Sequence, residues 1–179
     1  MKIIAVTAIS LNGYITHGDE AGTTFTSEAD KTWFSEAMNS FPVKVMGRKT
    51  FETSKKNILR NRDESSSNWR IVLTRSPKFY QQFNVPGCLE FSDESPQKLV
   101  QKIQAAGHHD SQIAILGGGA IYSAFLEVGL INEIWLTLEP QLFGSGTPLL
   151  QQGIKTNLRL LESSHLGPST LLLKYSCEQ

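Results

Sequence analysis

The sequence predicts an α/β fold: a mixed, mostly parallel sheet flanked by helices and closed by a C-terminal antiparallel hairpin. Three observations carry this. Apolar, β-branched runs alternate with stretches of helical spacing through the middle of the chain, which is the pattern of strands joined by crossover helices. Glycine and a helix start follow directly on apolar runs at 45–52 and again at 114–122. The stretch 158–176 holds two strand-like runs around Gly167-Pro168, a hairpin signature.

The elements follow in order. KIIAVTAIS (2–10) is a buried strand rich in β-branched residues. LNGYITHGDEAGTT (11–24) carries Gly13, Gly18 and Gly22 and reads as a long loop. SEADKTWFSEAM (27–38) reads as a helix, with Trp33, Phe34, Ala37 and Met38 at helical spacing and Ser27 as its cap. FPVKVMG (41–47) is a short strand and RKTFETSKK (48–56) a short helix. Residues 55–69 are polar and read as a loop, and the serines at 65–67 are too few for a low-complexity tract. RIVLTR (70–75) and LEFS (89–92) are strands, and 95–106 is a helix ended by Gly107. SQIAIL (111–116) is a strand, 120–129 a helix, INEIWLTLEP (131–140) a strand and FGSGTPLL (143–150) a loop.

The totals bound the function. A length of 179 residues fits one domain over 1–179. Lysine plus arginine and aspartate plus glutamate both number 17, so the overall charge does not favour a nucleic-acid partner. No apolar run approaches the roughly 20 residues of a membrane span, and the N-terminus reads as a core strand in place of a signal peptide. Cys88 and Cys177 are far apart and form no C-x-x-C, so neither a disulfide scaffold nor a metal site is expected, and a cytoplasmic location fits. His108-His109 sits at a helix end and reads as a loop pair.

Four stretches carry chemistry. In ILGGGAIY three glycines stand between a strand and a helix. Glycines admit close approach of a ligand to the backbone, and a helix N-terminus offers free N–H groups. Taken alone they suit a tight turn as well as a phosphate cradle, because they match neither G-x-G-x-x-G nor the P-loop. VMGRKTFE repeats the architecture with Arg48, Lys49 and Thr50 in the first turn. Cations there oppose the helix dipole, and a bound anion reverses that preference. In IVLTRS, Thr74 and Arg75 follow a buried strand, and ligands of open α/β sheets sit at the carboxyl ends of strands. In TSEADKTWF, Asp30 lies one turn into a helix beside Trp33 and Phe34. An acid held against apolar surface has a raised pKa and can donate a proton. Its spacing from Ser27 also suits a helix cap.

Taken together, these pieces resemble the dihydrofolate reductase superfamily from about residue 3 to residue 150. The matching stretches are Asp-x-x-Trp-Phe at 30–34, Met-Gly-Arg-x-Thr at 46–50, Thr74-Arg75, Gly117 to Tyr122, and Leu136-Thr137. The folate branch carries a Pro-Trp pair after the first strand, absent here, and an arginine near the position of Asn68. SLNGYIT, SEAD and FLEVGLINEIWLTLEPQLFGSGTPLL are more similar to the pyrimidine reductases of riboflavin biosynthesis, the reductase half of a bifunctional deaminase-reductase. The deaminase motif H-x-E…P-C-x-x-C is absent. The branch has a glutamate where this chain has Leu116 and an aspartate where it has Asn12.

The resemblance implies an NADPH-dependent reductase of the 5-amino-6-(5-phosphoribosylamino)uracil type. Dihydrofolate reduction and an NADP-binding module without catalysis are the alternatives. It implies Arg75, Thr74 and Arg48 or Lys49 for the 2′-phosphate. Gly47, Thr50 and the 48–50 helix start would take one end of the pyrophosphate, and Gly117, Gly118, Gly119, Ala120 and Ile121 the other. Ala8, Ile15 and Tyr122 would line the nicotinamide. Asp30, with Glu28 as alternative, would supply the proton, and Asn12, Leu116 and Thr137 would face the substrate. It further implies a cis Gly117-Gly118 peptide and a homodimer.

Overall fold

A computed structural model describes residues 1–20, 22–61 and 68–178. Strand β1 (Lys2–Ser10) is followed by α1 (Glu28–Met38), β2 (Val43–Gly47), α2 (Arg48–Arg60) and β3 (Trp69–Leu73). A 3-10 turn at Pro77–Phe83 leads to β4 (Leu89–Ser92), α3 (Pro96–Ala105), β5 (Gln112–Ile115), α4 (Gly119–Glu127) and β6 (Glu133–Glu139), and the chain closes with β7 (Asn157–His165) and β8 (Leu171–Glu178). The strands form one sheet in the order β4-β3-β2-β5-β1-β6-β8-β7. Neighbouring strands among β1 to β6 are parallel, and β8 and β7 are added antiparallel. The α/β sheet and its terminal hairpin are therefore as the sequence predicts.

This topology positions the site. Parallel strands deliver their carboxyl ends to one edge, so Ser10, Gly47, Leu73, Ile115 and Glu139 all end there. Register aligns them closely, since Gly47 pairs with Leu73 and Ser10 with Glu139. One sheet face carries Val43, Val45, Ile113 and Ile115, covered by Leu99 and Ile103 of α3 and by Tyr122 and Phe125 of α4. The other face is covered in two patches. Met46 and Val72 lie under Phe51 and Ile58 of α2, while Ile4, Val6, Phe41 and Ala114 lie under α1. Leu116 packs against both patches. Buried Lys44 also sits on β2, where its ammonium donates to the Phe41 carbonyl (2.6 Å) and to Asn68 (2.5 Å). Burial, with Arg70 alongside, pulls its pKa down to about 8.

Two local expectations are corrected. The helix opening at Arg48 does not stop near residue 56 but runs to Arg60, through the first part of the supposed 55–69 loop. Phe51 and Ile58, seven residues apart, bury one stripe of it against the sheet, and such a stripe sustains a helix of otherwise polar composition. Residues 62–67, with the serines, lie outside the described residues. In α1 the apolar residues are not the buried ones: Asp30 is buried, Trp33 and Met38 only partly, and Phe34 is exposed. The 3-10 turn has no counterpart in the sequence reading. It is held by Tyr80, stacked on Phe91 with centroids 4.9 Å apart.

Candidate active site at the carboxyl edge of the sheet

Two helix N-termini meet at the middle of the carboxyl edge. Gly47 caps α2 and Gly118 caps α4, and no side chain caps either. The first N–H groups of a helix have no partner within it, so both ends present donors and partial positive charge. The two turns are tied directly, because the Gly47 N–H donates to the Gly117 carbonyl at 2.7 Å. The Gly117-Gly118 peptide is cis.

The glycines differ in what requires them. A Cβ on Gly47 would stand 2.9 Å from Ile121 Cγ1, one on Gly117 2.9 Å from the Tyr122 hydroxyl, and one on Gly119 2.7 Å from the Pro148 carbonyl. A Cβ on Gly118 would meet nothing within 4 Å. Three of the four are thus bare because the protein packs against them. Gly118 alone is bare toward open space, at the cap of a helix, which is the feature a bound phosphate uses. Tyr122 is locked below, its hydroxyl donating to the Val6 carbonyl at 2.7 Å with burial driving its titration well above the usual phenol range.

One strand over, Gly47 and Leu73 end in register, so Arg48 and Thr74 leave the sheet side by side. The Thr74 N–H donates to Ser92 (2.9 Å), and Arg75, beyond it, is exposed, as are Arg48 and Lys49. Arg48 and Glu52 both face the Tyr80 hydroxyl, and Glu52 pushes that hydroxyl's titration upward. Thr50 is half-buried in the first turn of α2, and Ala120 is exposed in that of α4.

On the other side of the edge lies an acid. Asp30 is 6% exposed, and the Thr137 hydroxyl donates to its Oδ1 at 2.6 Å. Thr137 is fully buried on β6 and pairs in register with Ala8 of β1, so Asp30, Thr137 and Ala8 share one patch of the face under α1. Burial raises the Asp30 pKa, Thr137 and Thr26 oppose this, and the charge of Glu139 reinforces it. Glu28, the alternative acid, is 89% exposed at its side chain and pairs with Lys31 at 2.6 Å on the outer face of α1. Buried Ile15 belongs to the core cluster beneath α4.

Asn12 is engaged in holding loops. Its Oδ1 accepts from the Ser10 hydroxyl (2.9 Å) and the Phe143 N–H (3.1 Å), and its Nδ2 donates to the Phe143 carbonyl (2.7 Å). That pairing needs a donor and an acceptor on one side chain, which asparagine has and aspartate lacks. Asn12→Asp is expected to leave the Phe143 carbonyl without its donor and to destabilise the fold by about 0.5–1.5 kcal/mol. Thermal unfolding beside the wild type measures it, and an unchanged midpoint would remove the clamp role. Leu116 follows β5 directly and is half-buried between the α1 and α2 patches.

The sequence reading missed Glu139. This acid ends an apolar strand and is 1% exposed. Its Oε1 accepts from the Ser27 N–H (2.9 Å) and hydroxyl (3.0 Å), and its Oε2 from the Thr170 hydroxyl (3.1 Å). The signal was an acid closing a strand otherwise rich in Ile, Trp and Leu.

The chain is similar to known proteins over nearly its whole length. The family model described as the RibD C-terminal domain matches residues 1–172. YwjB of Bacillus subtilis strain 168 is 27% identical over 175 residues, covering 96% of this chain and 95% of YwjB. The crystal structure of a putative riboflavin biosynthesis protein from Shewanella sp. PV-4 is 22% identical, with TM-score 0.72 and full coverage of both chains. Acinetobacter baumannii RibD is 18% identical with TM-score 0.73, and the alignment covers 99% of this chain and 58% of that one. With its whole fold and nearly all of its length matched, the chain belongs to the RibD C-terminal domain family.

Proposed function

We propose that the protein is an NADPH-dependent reductase acting on a C=N or C=O bond of a small heterocycle, of the 5-amino-6-(5-phosphoribosylamino)uracil type. The observation that carries this is the pair of uncapped helix N-termini with Gly118 open to space, set on the same sheet edge as a buried, pKa-raised carboxyl. The donor set fits a dinucleotide phosphate. The N-termini of α2 and α4 would hold the pyrophosphate through Thr50 and through Gly118 to Ile121, while Thr74, Arg75 and Arg48 or Lys49 would hold the 2′-phosphate. A bound reduced nicotinamide supplies a hydride. Asp30 holds the proton that the substrate heteroatom then needs, and Thr137 fixes the carboxyl by occupying Oδ1. Ala8, in register with Thr137, and Leu116 would face the nicotinamide and substrate.

The test is absorbance at 340 nm with NADPH, offered separately a pyrimidine ribosylamine phosphate and dihydrofolate. Oxidation with the pyrimidine is the expected result. Oxidation with dihydrofolate alone would move the substrate to folate. Tight NADPH binding without oxidation by either would leave a binding module and end the reductase reading.

The proposal includes a homodimer joined along β7. This strand ends the sheet and exposes Leu158, Leu160 and Leu161, so its unpaired backbone and apolar side chains are what a second copy would cover. Sedimentation should show a dimer for the wild type and a monomer for Leu160→Glu. A monomeric wild type would rule the interface out.

A further inference from the structure

We infer that Glu139 is a positioning residue for Asp30: it clamps the first turn of α1 onto the end of β6 and helps to keep the proton on the Asp30 carboxyl. The inference rests on the reading of Asp30 as proton donor. Glu139 is fully buried and makes no ion pair with a lysine, arginine or histidine among the described residues. Its partners are a backbone N–H and two hydroxyls, all donating to it. Two of these belong to Ser27, the cap of α1, whose hydroxyl also accepts from the Asp30 N–H at 3.2 Å. The carboxylate therefore sits at the positive end of the helix that carries Asp30.

A glutamine could serve most of these contacts without the cost of burying a charge, so the charge needs its own account. Thr137 and Glu139 are two residues apart on β6 and so point to the same sheet face. Thr137 touches Asp30 and Glu139 touches Ser27, which puts two carboxyls against one helix turn. Two acids sharing a site do not both ionise readily. Their donors decide which keeps the proton. Glu139 has three donors and the helix end. Asp30 is faced by the Thr137 and Thr26 hydroxyls, by the exposed Lys31 next to it, and by Glu139 itself. Burial is the chief cause that favours the protonated form of Asp30, and the Glu139 carboxylate held against the same turn adds to it.

The test is a carbon-13 NMR titration of aspartate carboxyls in the full chain, with Asp30 identified from Asp30→Asn. In Glu139→Gln, which retains acceptors for Ser27, the Asp30 midpoint should fall below that of the wild type. In Ser27→Ala, which removes one of the three donors but keeps the charge, the midpoint should fall by less than in Glu139→Gln, while the amides of the first turn of α1 exchange faster. Should Glu139→Gln not fold, Thr170→Lys neutralises Glu139 with a neighbouring cation and should move the midpoint the same way. An Asp30 midpoint unchanged in a folded, charge-neutralised variant overturns the inference. Where turnover is found, the alkaline limb of kcat/KM should move to lower pH in Glu139→Gln. The titration needs no substrate, so it decides the role of Glu139 even if no substrate is reduced.

Discussion

Asp30→Asn is expected to lower kcat/KM by about 10²–10⁴-fold, the usual contribution of a positioned general acid, while leaving NADPH affinity unchanged. Asparagine has the shape of the carboxylic acid and its oxygen still accepts from Thr137, so the contact at 2.6 Å survives. What goes is a proton that can be given away. The stability consequence separates this loss from misfolding. Burial raises the Asp30 pKa above the ordinary carboxyl value, so the acid contributes its full stability at pH below its unfolded pKa. That contribution is lost as pH rises through the folded pKa. Asparagine does not ionise, so at neutral pH the variant should be at least as stable as the wild type. Wild-type activity should decline as pH rises through the Asp30 titration, and the residual activity of the variant should lack that limb. Turnover within a few-fold of wild type, in a folded variant, would take Asp30 out of the mechanism.

The fold was legible where strands carry consecutive buried apolar residues, as at Ile3–Val6 of β1 and Ile113–Ile115 of β5, because burial on both faces favours such runs. It was less legible in α2, where two buried residues, Phe51 and Ile58, hold a helix whose other positions look like a loop. The site divided in the same way. Ser27 and Asp30 stand three residues apart, and that spacing reports a helix start, which the structure contains. No local spacing reports that Thr137 would reach Asp30 across 107 residues or that Glu139 would reach Ser27 across 112. Such contacts depend on how α1 packs onto the end of β6, a tertiary fact. The glycines show the same limit. The sequence marks 117–119 as special, but only the packing of Tyr122 and Pro148 tells which glycine is bare for the protein and which is bare toward open space.

Arg75→Ala is expected to weaken NADPH binding by about 10–100-fold, as befits a lost charge-assisted hydrogen bond of about 1.5–3 kcal/mol, and to leave NADH binding within twofold. The argument for Arg75 over its neighbours is one of prior engagement. Arg48 faces the Tyr80 hydroxyl beside Glu52, so part of its charge is already answered within the protein. Arg75 follows Thr74, which is pinned to Ser92 at 2.9 Å, and so extends from a fixed point at the end of β3. The Ser76 N–H turns back to the Thr74 hydroxyl at 3.3 Å and shapes the exit of the chain there. A cation so placed, next to the N-terminus of α2, adds to a field that already favours a phosphate. Arg48→Ala should therefore cost NADPH less than Arg75→Ala does. Because the site is exposed, the gap between NADPH and NADH should also narrow as salt is raised, a screening effect that a buried contact would not show. Calorimetric titration of both cofactors at low and high salt measures all three expectations. An unchanged preference for NADPH in Arg75→Ala would place the 2′-phosphate away from the end of β3.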